Sequence, residues 1–372
     1  MQINASEIIE QGDTVKIQSL IEHGSGSEYL WYEMERKYAP YLTSKLDGFL
    51  VAVLPLAMAR GENIRVNGAV SETLLYNLSN SYIHLLRGAN PDYGRVTIDA
   101  LILDDGASSP CANAVGTGFS GGIDSFCVLV DHFLQCPYPH YRISHCVFNN
   151  VGSHGSGPSD ENRRLFWERY ALVKPCLEEL GLPLLSIDSN LTEFLKIKYQ
   201  ATHIPRNLSA VLLLQGLFGK YLYASAYHYK DCHYQQTHNL AFTDPAAVHL
   251  LSTETFHCIS TGCQYTRVEK TAKVSDWDAA QRHLNVCVNK DAKGLNCSIC
   301  EKCCRTIATL ELLGKLDFFG GVFDLEKYRS VRNWFLSSCF QNKEDPFCKE
   351  IVDFWREQER NGRRYEAFRE GA

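Results

Sequence analysis

Residues 118–125 read Gly-Phe-Ser-Gly-Gly-Ile-Asp-Ser and lie between a short strand-like run, AVGTGF, and an apolar helix-like run, FCVLVDHFL. Adjacent glycines at Gly121 and Gly122 let the backbone take φ > 0 and let amide N–H groups approach an anion closely. A helix starting near Ser125 aims the positive end of its dipole at the same point. The hydroxyls of Ser120 and Ser125 can donate to phosphate oxygens. Asp124 would repel bare phosphate, so the reading assigns it to Mg2+ held between chain and phosphates. A plain strand–helix connector also uses glycine, but S-G-G-x-D-S at such a junction is more selective. The segment matches neither the Walker pattern nor the dinucleotide fingerprint.

A second constellation is made of sulfur. Five of the fifteen cysteines fall between Cys287 and Cys304. Cys287, Cys297, Cys300 and Cys303 follow C-x9-C-x2-C-x2-C. Four thiolates at short spacing suit tetrahedral Zn2+ with Zn–S distances of about 2.3 Å, and a closed four-sulfur shell is structural rather than catalytic. Such a metal couples to local folding. Cys304 is a spare thiol or a replacement for Cys303, and the x2 spacing favours Cys303. An iron–sulfur cluster or a disulfide pair are the alternatives for the same sulfurs.

The S-G-G-I-D-S run resembles the signature of the PP-loop ATP pyrophosphatases, the N-type superfamily that includes asparagine synthetase, GMP synthetase and tRNA-thiolating enzymes. That resemblance implies an ATP-binding doubly wound α/β domain that splits ATP into AMP and pyrophosphate and activates a substrate oxygen as an adenylate. With the cysteine pattern downstream, residues 114–315 resemble 7-cyano-7-deazaguanine synthase and its relatives, which turn a carboxylate on a deazapurine into an amide and then a nitrile, with ATP and ammonia. The resemblance implies that backbone around Asn149 and Val151 contacts adenine. It implies that Arg206, in T-H-I-P-R-N, and Lys270, in a V-E-K-T loop, clamp pyrophosphate or the adenylate. Read alone, that arginine and lysine would be ordinary surface residues. The expected catalytic set is thus Asp124, Ser125, Arg206 and Lys270. The expected ATP cradle is Gly118, Phe119, Ser120, Gly121, Gly122, Asp124, Ser125, Asn149 and Val151.

The departures bear on the substrate. The acidic recognition stretch of that family is replaced by SAYHYKDCHYQQTH, and residues 1–110 have no counterpart in it. The expectation is therefore a PP-loop enzyme acting on a small carboxylate or amide, deazaguanine-synthase-like but not a deazaguanine synthase as such. Met1 is followed by Gln2, and residues 1–110 contain no cysteine. Neither kind of glutaminase nucleophile is present, so the expected nucleophile is ammonia from a separate source, an amine on the substrate, or one delivered by a partner. Two other readings compete: modification of a macromolecule (tRNA or protein), and a non-catalytic zinc-stabilised nucleotide-binding module.

Lesser candidates surround these. Asp244, Ser252, Thr253 and Glu254 form either a metal- or substrate-binding turn or a helix capping box. His228, His233 and His238 recur at five-residue spacing, which suits cleft-wall or loop residues better than a helical ligand pair. A reactive thiol at Cys232, Cys258 or Cys263 would need a neighbouring cation.

The elements that must hold these residues follow from periodicity. VKIQSLIEH and EYLWYEME alternate as strands. LDGFLVAVLPLAMARG reads as a buried helix broken or kinked at Pro55, ENIRVNG as a short strand, and VSETLLYNLSNSYIHLLRG as a helix with Ser71 as N-cap and Gly88 as stop. RVTIDALIL is a strand. From Ala114 strands alternate with helices, which predicts βαβ units and a mostly parallel sheet. Residues 231–286 read as irregular, 301–314 as a helix with Ile307, Leu310 and Leu313 on one face, and the tail as helices packed through Trp334, Phe335, Phe354 and Trp355. The expected organisation is an α+β domain over 1–110, with the turn-rich segment 104–113 as its boundary. An ATP-binding α/β domain follows over 111–286, a four-cysteine zinc segment over 287–320 and a helical tail over 321–372.

The chain of 372 residues has 37 Lys+Arg against 43 Asp+Glu, a net charge of −6. That balance argues against broad nucleic-acid or anionic-membrane binding. No apolar run approaches a bilayer span, and the N-terminus lacks a signal-peptide pattern, so the expected compartment is the cytoplasm. A homodimer is compatible with this composition.

Overall fold

The structure, a computed structural model, describes residues 1–107, 112–155, 159–289 and 296–362. Parts of the turn-rich boundary (108–111), of the Gly/Ser loop (156–158) and of the tail (363–372) lie outside the described residues.

The first part of the chain carries β1 (Gln2–Ile3), β2 (Glu7–Gln11), β3 (Thr14–His23), β4 (Gly26–Glu35), helix α1 (Asp47–Arg60), β5 (Ile64–Ser71), α2 (Glu72–Asn77), α3 (Ile83–Ala89) and β6 (Ile98–Asp104). The second carries β7 (Ala114–Gly118), α4 (Ile123–Leu129), β8 (His145–Asn149), α5 (Ser159–Glu179), β9 (Leu184–Ser189), α6 (Leu191–Leu195), α7 (His203–Leu212) and β10 (Phe218–Ala224). Then come α8 (Asp244–Ala247), β11 (His257–Thr261), α9 (Arg267–Ser275), α10 (Asp278–His283), α11 (Glu301–Leu312), α12 (Leu325–Gln341) and α13 (Pro346–Arg360).

The eleven strands make one mostly parallel sheet, in the order β11-β10-β7-β8-β9-β4-β3-β1-β5-β6, with β2 paired to β3 off this path. From β11 to β9 every pairing is parallel. The strands β7, β8 and β9 run outward in one direction, and β10 and β11 in the other. The order therefore reverses between β7 and β10, where the chain crosses over and a crevice opens at the carboxyl ends. All six residues of β9 are buried, as expected of a parallel strand covered on both faces. On β3 only alternate residues, Val15, Ile17, Ser19 and Ile21, are buried, the mark of a strand with one wet face.

Two apolar cores lie on the two faces of the parallel strands. Phe126, Phe166, Val274 and Ile307 belong to one, from α4, α5, α9 and α11. Leu50, Leu54, Leu208 and Val211 belong to the other, from α1 and α7. The second core also contains Ile3, Val66 and Leu74 from the first part of the chain and Leu185 and Ile187 from β9. Residue 110 thus divides neither the sheet nor the packing. β4 pairs antiparallel with β9, Tyr32 opposite Ser189. At Gly48 α1 comes so close to α7 that an added Cβ would lie 2.6 Å from the Ser209 carbonyl oxygen.

Several local expectations change. Helix α1 continues through Pro55 to Gly61, which closes it in the left-handed conformation. Ser71 precedes α2, but its hydroxyl donates to Asp47 Oδ2 (2.7 Å) instead of capping the helix. Residues 231–286 are not irregular throughout: they hold α8, β11, α9 and α10. In the tail Phe335 and Trp355 are buried, whereas Trp334 is 70% exposed and does not anchor the helices.

Candidate functional site

Strand β7 ends at Gly118, and the Phe119 N–H donates to the Val147 carbonyl (3.0 Å), which fixes the turn beside β8. Gly121 has φ +75°, and a Cβ there would come within 3.2 Å of Val173 Cγ1. Its carbonyl accepts the Asn285 N–H (2.8 Å). Gly122 is the N-cap of α4, whose helical winding continues through Leu134. Among the described residues no acceptor meets the N–H groups of Ser120, Gly121, Gly122 or Ile123. Ser120 is exposed at the mouth of a cavity of about 1010 Å³, which Gly118, Phe119, Ser120, Gly122, Asp124 and Ser125 also line. The Ser125 hydroxyl donates back to the Gly122 carbonyl (2.9 Å) and so closes the turn.

The carboxylate of Asp124 is paired on both oxygens. Oδ1 accepts from Lys270 Nζ (2.9 Å) and Oδ2 lies 2.8 Å from Arg267 Nη1. Burial pushes its carboxyl up, but Arg267 and Lys270 outweigh this and hold it below the usual carboxylate range. Lys270 is wholly buried, and its ammonium also donates to the carbonyls of Ser225 (2.5 Å) and Ala226 (3.3 Å), just beyond β10. One lysine thereby ties the start of α4 to the loop after β10, across the reversal of strand order. Lys270 stands on α9 and not in a loop. The helix starts with a capping box in which Thr266 and Glu269 bond reciprocally. With both oxygens of Asp124 occupied by cations, the residues present do not fit the expected Mg2+ ligand.

The sulfurs of Cys287, Cys297, Cys300 and Cys303 lie within 4.8 Å of one another. Two of the separations are 3.9 Å (Cys287–Cys300) and 4.0 Å (Cys297–Cys303). A regular tetrahedron with metal–sulfur bonds of about 2.3 Å needs sulfurs roughly 3.8 Å apart, so the cluster fits a metal such as zinc. Backbone N–H groups of Cys300 (3.2 Å, to Cys297 Sγ) and Asn289 (3.4 Å, to Cys287 Sγ) point at sulfurs, as thiolates require. The thiol of Cys304 is buried in the core behind them and directed at the Ser298 carbonyl.

This cluster borders the cavity. Cys300 is the N-cap of α11, and the first turns of that helix present Lys302, Arg305 and Thr306 to the same space. The guanidiniums of Arg305 (4.2 Å) and Arg267 (5.0 Å) lie over the ring of Phe347, which stacks on Tyr227 (4.9 Å). Arg169 of α5 lines the cavity too. Asn285 connects the two motifs: its N–H donates to Gly121, and its side-chain oxygen accepts from the Cys287 N–H (3.3 Å).

Other expected residues are placed differently. Arg206 is 1% exposed, and its guanidinium donates to the carbonyls of Val151 (2.9 Å) and Ile197 (2.7 Å) and to the Thr202 hydroxyl (2.7 Å). It is therefore an internal brace, not a phosphate clamp. Val151, whose carbonyl it holds, is buried and does not line the cavity. Asn149 does line it, and its side-chain oxygen is buried without a hydrogen-bond partner. Thr253 Oγ1 accepts from Phe256 N–H (3.1 Å), and Glu254 Oε1 from Thr73 N–H (2.5 Å), so that turn is structural. Asp244 and His203 form part of the cavity wall. His233 stacks on Phe242 and, like His228 and His238, is outside the cavity lining. Cys258 is a core thiol.

Arg169, His203, Arg267, Lys302 and Arg305 were not singled out from the sequence. The signals existed for three of them: Arg267 precedes Lys270 by one helical turn after a T-x-x-E cap, and Lys302 and Arg305 flank the cysteine knuckle. No protein-family model matches this chain, no curated protein matches it, and no solved structure matches it.

Proposed function

We propose that the chain is an ATP-dependent enzyme that forms AMP and pyrophosphate by adenylating a carboxylate or amide oxygen of a small substrate, for attack by ammonia or another nucleophile. The observation that carries this reading is the run of uncommitted N–H groups at 120–123, at the carboxyl end of β7, where the strand order reverses. Doubly wound sheets bind nucleotides at that place, and backbone amides at a helix start suit phosphate. Arg267, Lys302 and Arg305 supply fixed positive charge for a leaving pyrophosphate. Lys270 acts by holding Asp124 and the β10 loop, so that the glycine turn keeps its shape before ligand arrives. The side chain and backbone of Asn149, with Phe148, offer the polar and apolar edges a purine needs. The metal held by the four cysteines would be structural and would orient α11. The test is ATP–pyrophosphate exchange over a panel of small carboxylic acids, with and without ammonia. Exchange stimulated by one acid supports the proposal, and release of ADP in place of AMP overturns it.

The pairing of Asp124 with two cations favours one second reading, a module that binds nucleotide and does not turn it over. Saturable ATP binding without exchange under every co-substrate would select it.

A further inference from the structure

The wall of the cavity holds two buried polar side chains, Asp244 and His203, whose hydrogen-bonding capacity is not filled. Asp244 is 1% exposed and lines the cavity, yet neither of its carboxylate oxygens has a hydrogen-bond partner. The Ala226 N–H and the Ser225 hydroxyl, which also pairs with Ser260 Oγ (2.6 Å), ease its charge without a close hydrogen bond to either oxygen. Lys270 acts on it only through space, because that ammonium is committed to Asp124 and to the carbonyls of Ser225 and Ala226. His203 is 7% exposed, and its Nδ1 is engaged by the Tyr223 hydroxyl (2.7 Å), while Nε2 makes no close hydrogen bond and the Asn239 side chain is the polar group that acts on the ring. Tyr199, Tyr223 and Tyr227 surround this end with aromatic rings. A buried carboxyl without a donor is costly unless a ligand completes it. Tyr223 links the two, since Asp244 acts on its hydroxyl through space and that hydroxyl engages His203. A carboxylate and an imidazole nitrogen facing one cavity with electron-rich rings make a receptor for a compact cation rich in N–H donors.

The structure assigns Asp244 and His203 as a subsite for a protonated amine, with ammonium as the smallest member of the class. This rests on the proposed function, in which a nitrogen nucleophile must reach an adenylated oxygen in the same cavity. It adds where that nitrogen waits and which side chains choose it. An alkali cation of similar radius offers no hydrogens to Asp244, so the site separates ammonium from potassium by hydrogen bonding and not by charge. Burial and the neighbouring Cys263 raise the Asp244 carboxyl well above its ordinary range, an effect that an adjacent cation would oppose.

The experiment is thermal unfolding of the full-length protein in ammonium chloride, methylammonium chloride and potassium chloride at equal ionic strength, with Mg-ATP stabilisation measured separately. Ammonium is expected to raise the midpoint in a saturable way, potassium not to do so, and Asp244→Asn to abolish the difference while keeping the Mg-ATP shift. His203→Gln, which retains an N–H group, is expected to weaken ammonium at least about tenfold. The methylammonium arm distinguishes the source: a response equal to that of ammonium assigns the site to a substrate-borne amine, and none assigns it to free ammonium. Equal midpoints in ammonium, methylammonium and potassium for the unmodified protein overturn the inference without recourse to any variant. Absence of a Mg-ATP shift alongside an ammonium response would instead overturn the proposed nucleotide function and leave the amine subsite standing.

Discussion

Asp124, Arg267 and Lys270 form the most consequential triad of side chains in the molecule. Breaking a buried ion pair by removing one partner costs about 3–5 kcal/mol, because the remaining charge is left uncompensated. Lys270→Met should approach that range, since Lys270 is wholly buried and its loss also strips donors from two carbonyls. Denaturant unfolding of the variant would measure it, and a cost under about 1 kcal/mol would show that the triad is not coupled. The acid limb of stability offers a second check. The Asp124 pKa is lowered in the folded state. Its contribution is therefore fully present above the ordinary carboxylate range and is lost as pH falls through the folded value. Asp124→Asn should flatten the fall in midpoint below roughly pH 4, while leaving the neutral side unaffected by this linkage. Arg206 shows why residue types alone mislead. An arginine in the T-H-I-P-R-N run has the chemistry of a clamp, but the carbonyls of Val151 and Ile197, outside that run, turn the guanidinium inward.

At the scale of elements the glycine turn separates shape from function. Gly121 needs its left-handed φ, so Gly121→Ala should cost about 1–2 kcal/mol from backbone strain. It would also press on Val173, 3.2 Å from the new Cβ. Gly122 has φ −88°, and its nearest prospective contact, Ser120 Oγ at 3.5 Å, is ordinary. Gly122→Ala should therefore fold nearly as well as the parent but bind nucleotide at least about tenfold more weakly, because a methyl group enters the cradle. Unchanged ATP affinity in that variant, read by calorimetry, would remove the turn from the binding site. Much of this level was legible beforehand. The strand–turn–helix context of residues 114–134, the alternating βαβ pattern and the cysteine spacing are all local, and local periodicity survives folding. Helix α9 carried a signal in the Thr266–Glu269 capping box, but the polar composition around it masked that signal and the segment reads as a loop. The pairing of β4 with β9 was not legible, because Tyr32 and Ser189 meet only through tertiary packing.

For the molecule as a whole the four-cysteine cluster and the cavity are joined into one structure. Cys300 starts α11, α11 carries Lys302 and Arg305 to the cavity, and Asn285 bridges Cys287 to Gly121. Without a metal, four sulfurs within 4.8 Å of each other must be protonated or move apart. Either change releases the start of α11 and loosens the far side of the glycine turn. Elemental analysis should find about one zinc per chain. Strong chelation, or Cys300→Ser, should lower the thermal midpoint by a few degrees, since about 2 kcal/mol moves it by roughly 2–3 °C in a chain of this size. The informative comparison is with Mg-ATP present. If the cluster only staples α11 to the body, chelation lowers the midpoint and leaves the nucleotide-induced shift intact. If it positions the cations and the turn, as the Asn285 bridge implies, the shift itself shrinks, and readdition of zinc restores both. The same logic governs the first part of the chain. A fragment starting at residue 112 would bare the β9 edge and the α7 face that β4 and α1 cover, and should be recovered insoluble. A soluble, cooperatively folding fragment would mean that the shared core contributes little to stability.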